Sequence, residues 1–133
     1  MSRENVEVVR GIYDQYAAGD IDGLLSRVDP EIEFDLSDRL PDEGLHRGRE
    51  AYRQFLKRTF ELWADFQVEV EDLLDGGDAV VAIIHTTATG RASGIEIDER
   101  VGHVFWLRDE IPYRFKVFSD RSEALAAAGL SGG

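Results

Sequence analysis

The chain contains no cysteine, and its 133 residues include only three prolines and three histidines. Without cysteine, disulfide bonds, thiol catalysis and thiolate metal sites are all excluded. The N-terminal residues lack the apolar run of a signal peptide, and no later stretch is long enough for a membrane span, so we expect a cytoplasmic protein. No Pro- or Ser-rich linker divides the sequence. We therefore predict one domain over residues 1–130, followed by a short flexible tail at 131–133.

Positive charge is also scarce. The chain has 15 Lys and Arg against 27 Asp and Glu, which gives a net charge of −12 at pH 7. An acidic surface of this kind repels phosphate backbones and anionic lipid, so neither nucleic acid nor a membrane surface is an expected partner. It also disfavours a strongly anionic ligand, unless the binding pocket carries cations of its own. Hydrophobic residues make up 43% of the chain, the proportion of a folded globular protein.

Hydrophobic periodicity predicts helices followed by a long run of strands. Apolar residues recur at helical spacing in four segments. The first predicted helix follows an N-cap at Ser2 and stops at Gly19, and the others cover residues 21–28, 49–63 and 121–128. Residues 31–36 alternate like a short strand, and the polar residues 37–48 predict a loop. Four longer strands follow, joined by tight turns such as Asp75-Gly76-Gly77-Asp78, at residues 66–74, 79–89, 95–108 and 111–119. This order is typical of the α+β class with an antiparallel sheet.

Two of these strands are apolar on both faces, at Ala79–Ile84 and at Val104–Leu107. An antiparallel strand with one solvated face alternates apolar and polar residues, and these strands do not. Both faces of the sheet are therefore expected to be covered, one by the helices and the other by a second copy of the chain. The sequence thus predicts a homodimer.

Metal and cofactor sites are not expected. The three histidines are scattered, and there is no His-x-x-x-His helix, glycine-rich phosphate loop or Gly-x-Ser-x-Gly motif.

Several segments carry a family resemblance. They are Tyr16–Leu25, Leu45–Ala51, Val104–Ile111, Phe118–Asp120 and Ala124–Leu130. In this order they resemble the SnoaL-like families of the NTF2-like superfamily, over almost the whole chain. The resemblance implies a cone, in which a strongly curved sheet wraps around helices and opens onto an interior cavity. Relatives such as ketosteroid isomerase, scytalone dehydratase, limonene epoxide hydrolase and the polyketide cyclases use cofactor-free acid–base chemistry, while other members only bind ligands.

The resemblance to ketosteroid isomerase assigns candidate catalytic residues. Asp35 falls where that enzyme has its proton-shuttling base, although the proline that follows the base there is missing here. The alternative is that Glu33 and Asp35 form the solvent side of an alternating strand. His103 falls at the position of one hydrogen-bond donor to the enolate, whereas Ile12 occupies the place of the tyrosine that supplies the other donor.

His85 is a third catalytic candidate. A turn centred near Gly94 would place His85 roughly opposite His103 on one face of the sheet. Two imidazoles beside a carboxylate could dehydrate or cyclise a polyketide-like substrate. The alternative is that each histidine bonds a neighbouring group in a filled core.

The predicted substrate-binding residues are aromatic: Tyr13, Tyr16, Phe55, Trp63 and Phe105. Two functions stay open at this stage. One is cofactor-free isomerase, dehydratase, cyclase or hydrolase chemistry on a small apolar or polyketide-like molecule. The other is a small-molecule-binding or dimerisation module without turnover.

Overall fold

The computed structural model describes residues 2–36 and 44–130. Within them the chain forms four helices: α1 (Ser2–Ala17), α2 (Ile21–Leu25), α3 (Arg49–Leu62) and α4 (Arg121–Ala127). It also forms six strands: β1 (Glu33–Asp35), β2 (Leu45–Arg47), β3 (Trp63–Asp75), β4 (Ala79–Gly90), β5 (Glu96–Arg108) and β6 (Ile111–Phe118). None of the described helices combines the length and hydropathy that a membrane crossing requires.

All six strands belong to one sheet, in the order β2-β1-β6-β5-β4-β3. The four long strands are antiparallel neighbours, whereas β1 runs parallel to β6. Helices α1 and α3 pack on one face, which we call the inner face, and the sheet curves around them. The predicted α+β cone is confirmed.

The boundaries differ from the prediction in three places. Part of the predicted loop forms β2, which pairs with β1, while residues 37–43 and the tail at 131–133 lie outside the described residues. Helix α2 ends at Leu25, three residues earlier than predicted. Strand β3 begins at Trp63, where the backbone becomes extended directly after α3, three residues earlier than predicted. A bulge with Asp65 at φ 51° follows inside the strand.

Side-chain caps and glycines define the turns between elements. The carboxylate of Asp20 accepts a hydrogen bond from the Gly23 amide at the start of α2, and Asp120 accepts one from Ser122 at the start of α4. Each satisfies an amide that the first helical turn leaves unpaired. Gly77, at φ 88°, closes the β3–β4 hairpin with a backbone conformation that other residues rarely adopt.

The main core fills the space between the inner face and the helices. Its most deeply buried large side chains come from α1, α2, α3 and the sheet: Ile12, Leu24, Leu25, Leu56, Phe34, Ile84 and Phe105. A second, smaller cluster lies on the outer face, where α4 covers Val81, Ile83 and Val104. The chain itself therefore covers this apolar patch, contrary to the expectation that a second copy does so. Homodimerisation stays a prediction, which light scattering would test.

A close approach between α4 and the sheet occurs at Gly102. A Cβ atom at this position would lie 2.6 Å from the Cβ of Ala124. A side chain at residue 102 would therefore push α4 away from the outer face of the sheet.

We expect Gly102→Ala to lower the free energy of unfolding by about 1–3 kcal/mol, because the added methyl group overpacks this contact. Urea unfolding measures the change. Adding Ala124→Gly removes the opposing methyl group, so the two substitutions should be strongly non-additive. A Gly102→Ala variant as stable as the parent would contradict the packing described.

Candidate functional site

The inner face of the sheet, α1 and α3 enclose a cavity of about 250 Å³. Its wall is largely apolar and aromatic. Helix α1 contributes Ile12, Tyr13 and Tyr16, and α3 contributes Tyr52 and Phe55 among others.

Strand β5 runs the length of the cavity. Alternate residues of a strand face the same side, so five side chains of β5 line the wall: Ile97, Glu99, Val101, His103 and Phe105. Phe105 is only 1% exposed, and it marks the inner end of the cavity. Ile97 and Glu99 are partly exposed and mark the outer end, which Trp63 and Phe66 also line.

The principal polar contact in the cavity joins Tyr13 and His103. The Tyr13 hydroxyl lies 2.6 Å from Nδ1 of His103, and the two rings are stacked with centroids 5.9 Å apart. Phe115 meets the imidazole edge-to-face at 5.1 Å, and Phe105 meets the Tyr13 ring edge-to-face at 6.0 Å. These aromatic neighbours hold both rings in place and exclude water from one side of the pair.

Burial keeps the cavity tyrosines protonated. Desolvation raises the pKa of Tyr13 well above its ordinary value of 10.0, and the neighbouring Tyr52 and Tyr16 raise it further. Desolvation likewise raises the pKa of Tyr16 and of Tyr52. The Tyr13 hydroxyl is therefore a hydrogen-bond donor throughout the neutral range.

Two proton arrangements satisfy the Tyr13–His103 contact. In one, the phenol donates to Nδ1 and the imidazole proton sits on Nε2. In the other, Nδ1–H donates to the phenol oxygen, which leaves the phenol O–H to donate elsewhere. In both arrangements the phenol keeps its proton, so the pair combines a hydrogen-bond donor with an imidazole that can accept or release a proton.

The structure brings together most of the residues predicted from sequence. The five predicted substrate-binding aromatics all line the cavity: Tyr13, Tyr16, Phe55, Trp63 and Phe105. His103 lines it as well. The tyrosine that contacts His103 is Tyr13, one residue after the position that the resemblance indicated.

Asp35 lies away from this cavity. In β1 the neighbours Phe34 and Leu36 belong to the main core, so Asp35 points to the outer face. There one of its oxygens lies 3.5 Å from Nζ of Lys116, and its side chain is 18% exposed. This placement leaves the general-base role of Asp35 without geometric support.

His85 also faces outward, so the expectation that it lies opposite His103 is wrong. In the sheet His85 pairs with Arg100, and His103 pairs with Ala82. The observed register differs from the predicted one by three residues. Because strand side chains alternate, an odd shift moves the histidine to the other face. Its Nε2 lies 2.6 Å from a carboxylate oxygen of Asp98.

The outer face holds the one group of possible metal ligands found in the described part of the chain. Glu69, Glu71 and His85 each offer an atom within 4.8 Å of the others. However, Arg100 donates two hydrogen bonds to the carboxylate of Glu71, at 2.8 Å and 3.1 Å. The Nε2 atom of His85 is in contact with the carboxylate of Asp98. Two of the three possible ligands, Glu71 and His85, are therefore already engaged by protein partners.

Sequence reasoning missed Glu99 and Thr86. Glu99 lies on the cavity wall, opposite Thr86 of β4, which also lines it. The sequence could have indicated Glu99, because it is four residues from His103 and side chains an even number of residues apart share one face of a strand.

Comparison with known proteins gives a consistent family and fold. Residues 9–111 match the SnoaL-like domain family. No curated protein sequence matches the chain.

Solved structures with the same fold cover nearly the whole chain. A candidate SnoaL-like polyketide cyclase from Jannaschia sp. CCS1 is 21% identical, with a TM-score of 0.80, over 99% of this chain and 96% of that one. An NTF2-like protein from Burkholderia thailandensis E264 is 25% identical, with a TM-score of 0.79, over 94% and 96%. TerC, co-crystallised with polyporic acid, is 19% identical, with a TM-score of 0.77, over 95% and 98%.

The buried tyrosines predict a loss of stability at alkaline pH. Above pH 10 the unfolded chain releases these phenolic protons, whereas the folded protein retains them because its tyrosine pKa values are raised. The free energy of unfolding should therefore fall as pH rises above 10, by up to about 1.4 kcal/mol per pH unit for each tyrosine.

Urea unfolding at a series of pH values, together with tyrosinate absorbance, measures this effect. Tyr16→Phe removes one of the three buried phenols and should make the free energy of unfolding fall less steeply with pH. Release of the three phenolic protons from the folded protein near pH 10 would contradict the prediction, since it would show that water reaches these tyrosines.

Proposed function

This chain belongs to the SnoaL-like domain family, and we propose that its cavity binds a small, mainly apolar molecule through an oxygen atom held by Tyr13 and His103. The observation that carries the proposal is the 2.6 Å contact between a protonated phenol and an imidazole inside an aromatic cavity. Pockets of this type usually combine apolar walls with a few orienting polar groups. TerC, which has the same fold, was crystallised with polyporic acid, and this supports an oxygen-bearing ligand here.

We further propose that the pair performs cofactor-free acid–base chemistry on the bound molecule. A phenol that keeps its proton can donate to a carbonyl oxygen, and the adjacent imidazole can take or return a proton. Donation to an oxygen that gains negative charge stabilises an enolate, which is the intermediate of isomerisation, dehydration and aldol cyclisation. The site therefore suits proton abstraction next to a carbonyl group.

A second candidate function is binding without turnover. The placement of Asp35 on the outer face favours it, since no carboxylate among the described residues lies beside His103 in the cavity. Glu99, the carboxylate that does line the wall, is four residues away along β5. In this alternative Tyr13 and His103 orient the ligand and nothing more.

Binding of 2-naphthol tests the recognition step, with naphthalene as the matched compound that lacks the hydroxyl group. We expect the parent protein to prefer 2-naphthol by about 2- to 12-fold, the worth of one net hydrogen bond. Tyr13→Phe should remove that preference, and fluorescence titration measures it. Asp35→Asn, on the outer face, serves as the control and should bind both compounds like the parent. An equal loss of the preference for 2-naphthol in Tyr13→Phe and Asp35→Asn would contradict the assignment of Tyr13 to ligand binding.

Exchange of the α-protons of 2-tetralone in D2O, followed by NMR, separates the two functions. If the pair is catalytic, the protein should accelerate exchange, and His103→Gln should slow it by about a hundredfold or more. Tetralone that binds but exchanges at the rate seen in buffer would establish the non-catalytic alternative.

A further inference from the structure

Glu99 gives the cavity a second polar position, at its outer end. The side chain is partly exposed, and its neighbour across the sheet is Thr86, which is 8% exposed. Along the same row Thr86 pairs with Val68 of β3. Glu99 therefore lies on the wall of the cavity, at the border between the apolar interior and solvent.

The two polar positions are well separated. Glu99 and His103 are four residues apart on an extended strand, so their Cα atoms are about 13 Å apart. Val101 lies between them on the same face and is 7% exposed. A molecule that reaches both positions must be elongated and must carry an apolar middle.

The charge of the wall favours a cation at the outer end. Glu99 is the only carboxylate among the described residues that line the cavity, and none of those residues is lysine or arginine. The cavity tyrosines stay protonated, so they add no negative charge that would need a counter-ion. An anionic group beside Glu99 would be repelled, and the net charge of −12 adds to that repulsion.

Aromatic rings surround the same end of the cavity. Trp63, Phe66 and Tyr16 line it, and the rings of Tyr16 and Phe66 are 5.9 Å apart. Ring faces attract cations, and a carboxylate among such rings is a favourable environment for an ammonium group. Glu99 already takes part in an interaction within the chain. A carboxylate has about four acceptor positions, however, so it can also accept hydrogen bonds from a ligand.

We propose that the molecule bound in the cavity is elongated and bears an amine, whose ammonium group contacts Glu99 while an oxygen at its far end meets Tyr13 and His103. This inference rests on the proposed function of the Tyr13–His103 pair and adds the chemical class of the ligand. It makes Glu99 the residue that selects between cationic, neutral and anionic ligands.

Three 4-hydroxybiphenyls that differ only at the 4′ position test this inference: an aminomethyl, a hydroxymethyl and a carboxylate derivative. Calorimetry at pH 7 should show the aminomethyl compound binding about tenfold more tightly than the hydroxymethyl compound, because its ammonium group adds attraction between opposite charges to the hydrogen bond with Glu99. The carboxylate should bind most weakly. Glu99→Gln should abolish the tenfold preference, because the amide that replaces the carboxylate has no charge to attract the ammonium group.

Glu96→Gln is the matched control. It makes the same change in net charge on the same strand, but residue 96 lies on the opposite face from Glu99. This variant should keep the preference for the amine. An equal loss of preference in Glu96→Gln would overturn the proposal, because the net charge of the protein, and not Glu99, would then explain the preference for the amine.

The outcomes also separate the two proposals. Binding of the hydroxymethyl compound, weakened by Tyr13→Phe but not improved by the amine, would overturn only the role of Glu99. Failure of all three compounds to bind would overturn the proposed function and this inference together.

Discussion

The pairing register of β4 with β5 determines the chemistry of this protein. Thr89 pairs with Glu96, and every later pair follows from that first one. Since strand side chains alternate between faces, this register sends Glu99, Val101 and His103 into the cavity. The same rule sends His85 and Asp98 to the outer face. A shift by one residue would exchange the two sets and leave the cavity without its imidazole.

Given that register, the helices determine how His103 behaves. Helix α1 brings Tyr13 within hydrogen-bond distance of the imidazole, and α3 supplies the aromatic wall that excludes water. Exclusion of water raises the tyrosine pKa values, which keeps the phenol a donor at neutral pH. A pair that is solvated on the surface would have neither property. The acid–base capacity of the site thus arises from packing as much as from the two side chains themselves.

The two faces of the sheet are packed differently. The inner face leaves a cavity unfilled, whereas α4 packs closely over the other face at Gly102 and Val104. Close packing on the outer side stabilises the sheet without obstructing the cavity. This division explains why β4 is buried on both faces although only one of them borders the site.

The α+β class, the order of helices and strands and the family resemblance could all be read from the sequence, because they depend on local periodicity and turn residues such as Gly77. The aromatic lining could be predicted too, since Tyr13, Tyr16 and Phe55 recur at helical spacing. The strand register could not, because it depends on the backbone of the turn at residues 91–95, where a difference of three residues moves His85 to the other face. The direction of Asp35 and the contact between Tyr13 and His103, 90 residues apart, were likewise decided only by tertiary structure. Pairing across the sheet and packing of α1 against it are long-range, and no local pattern encodes them.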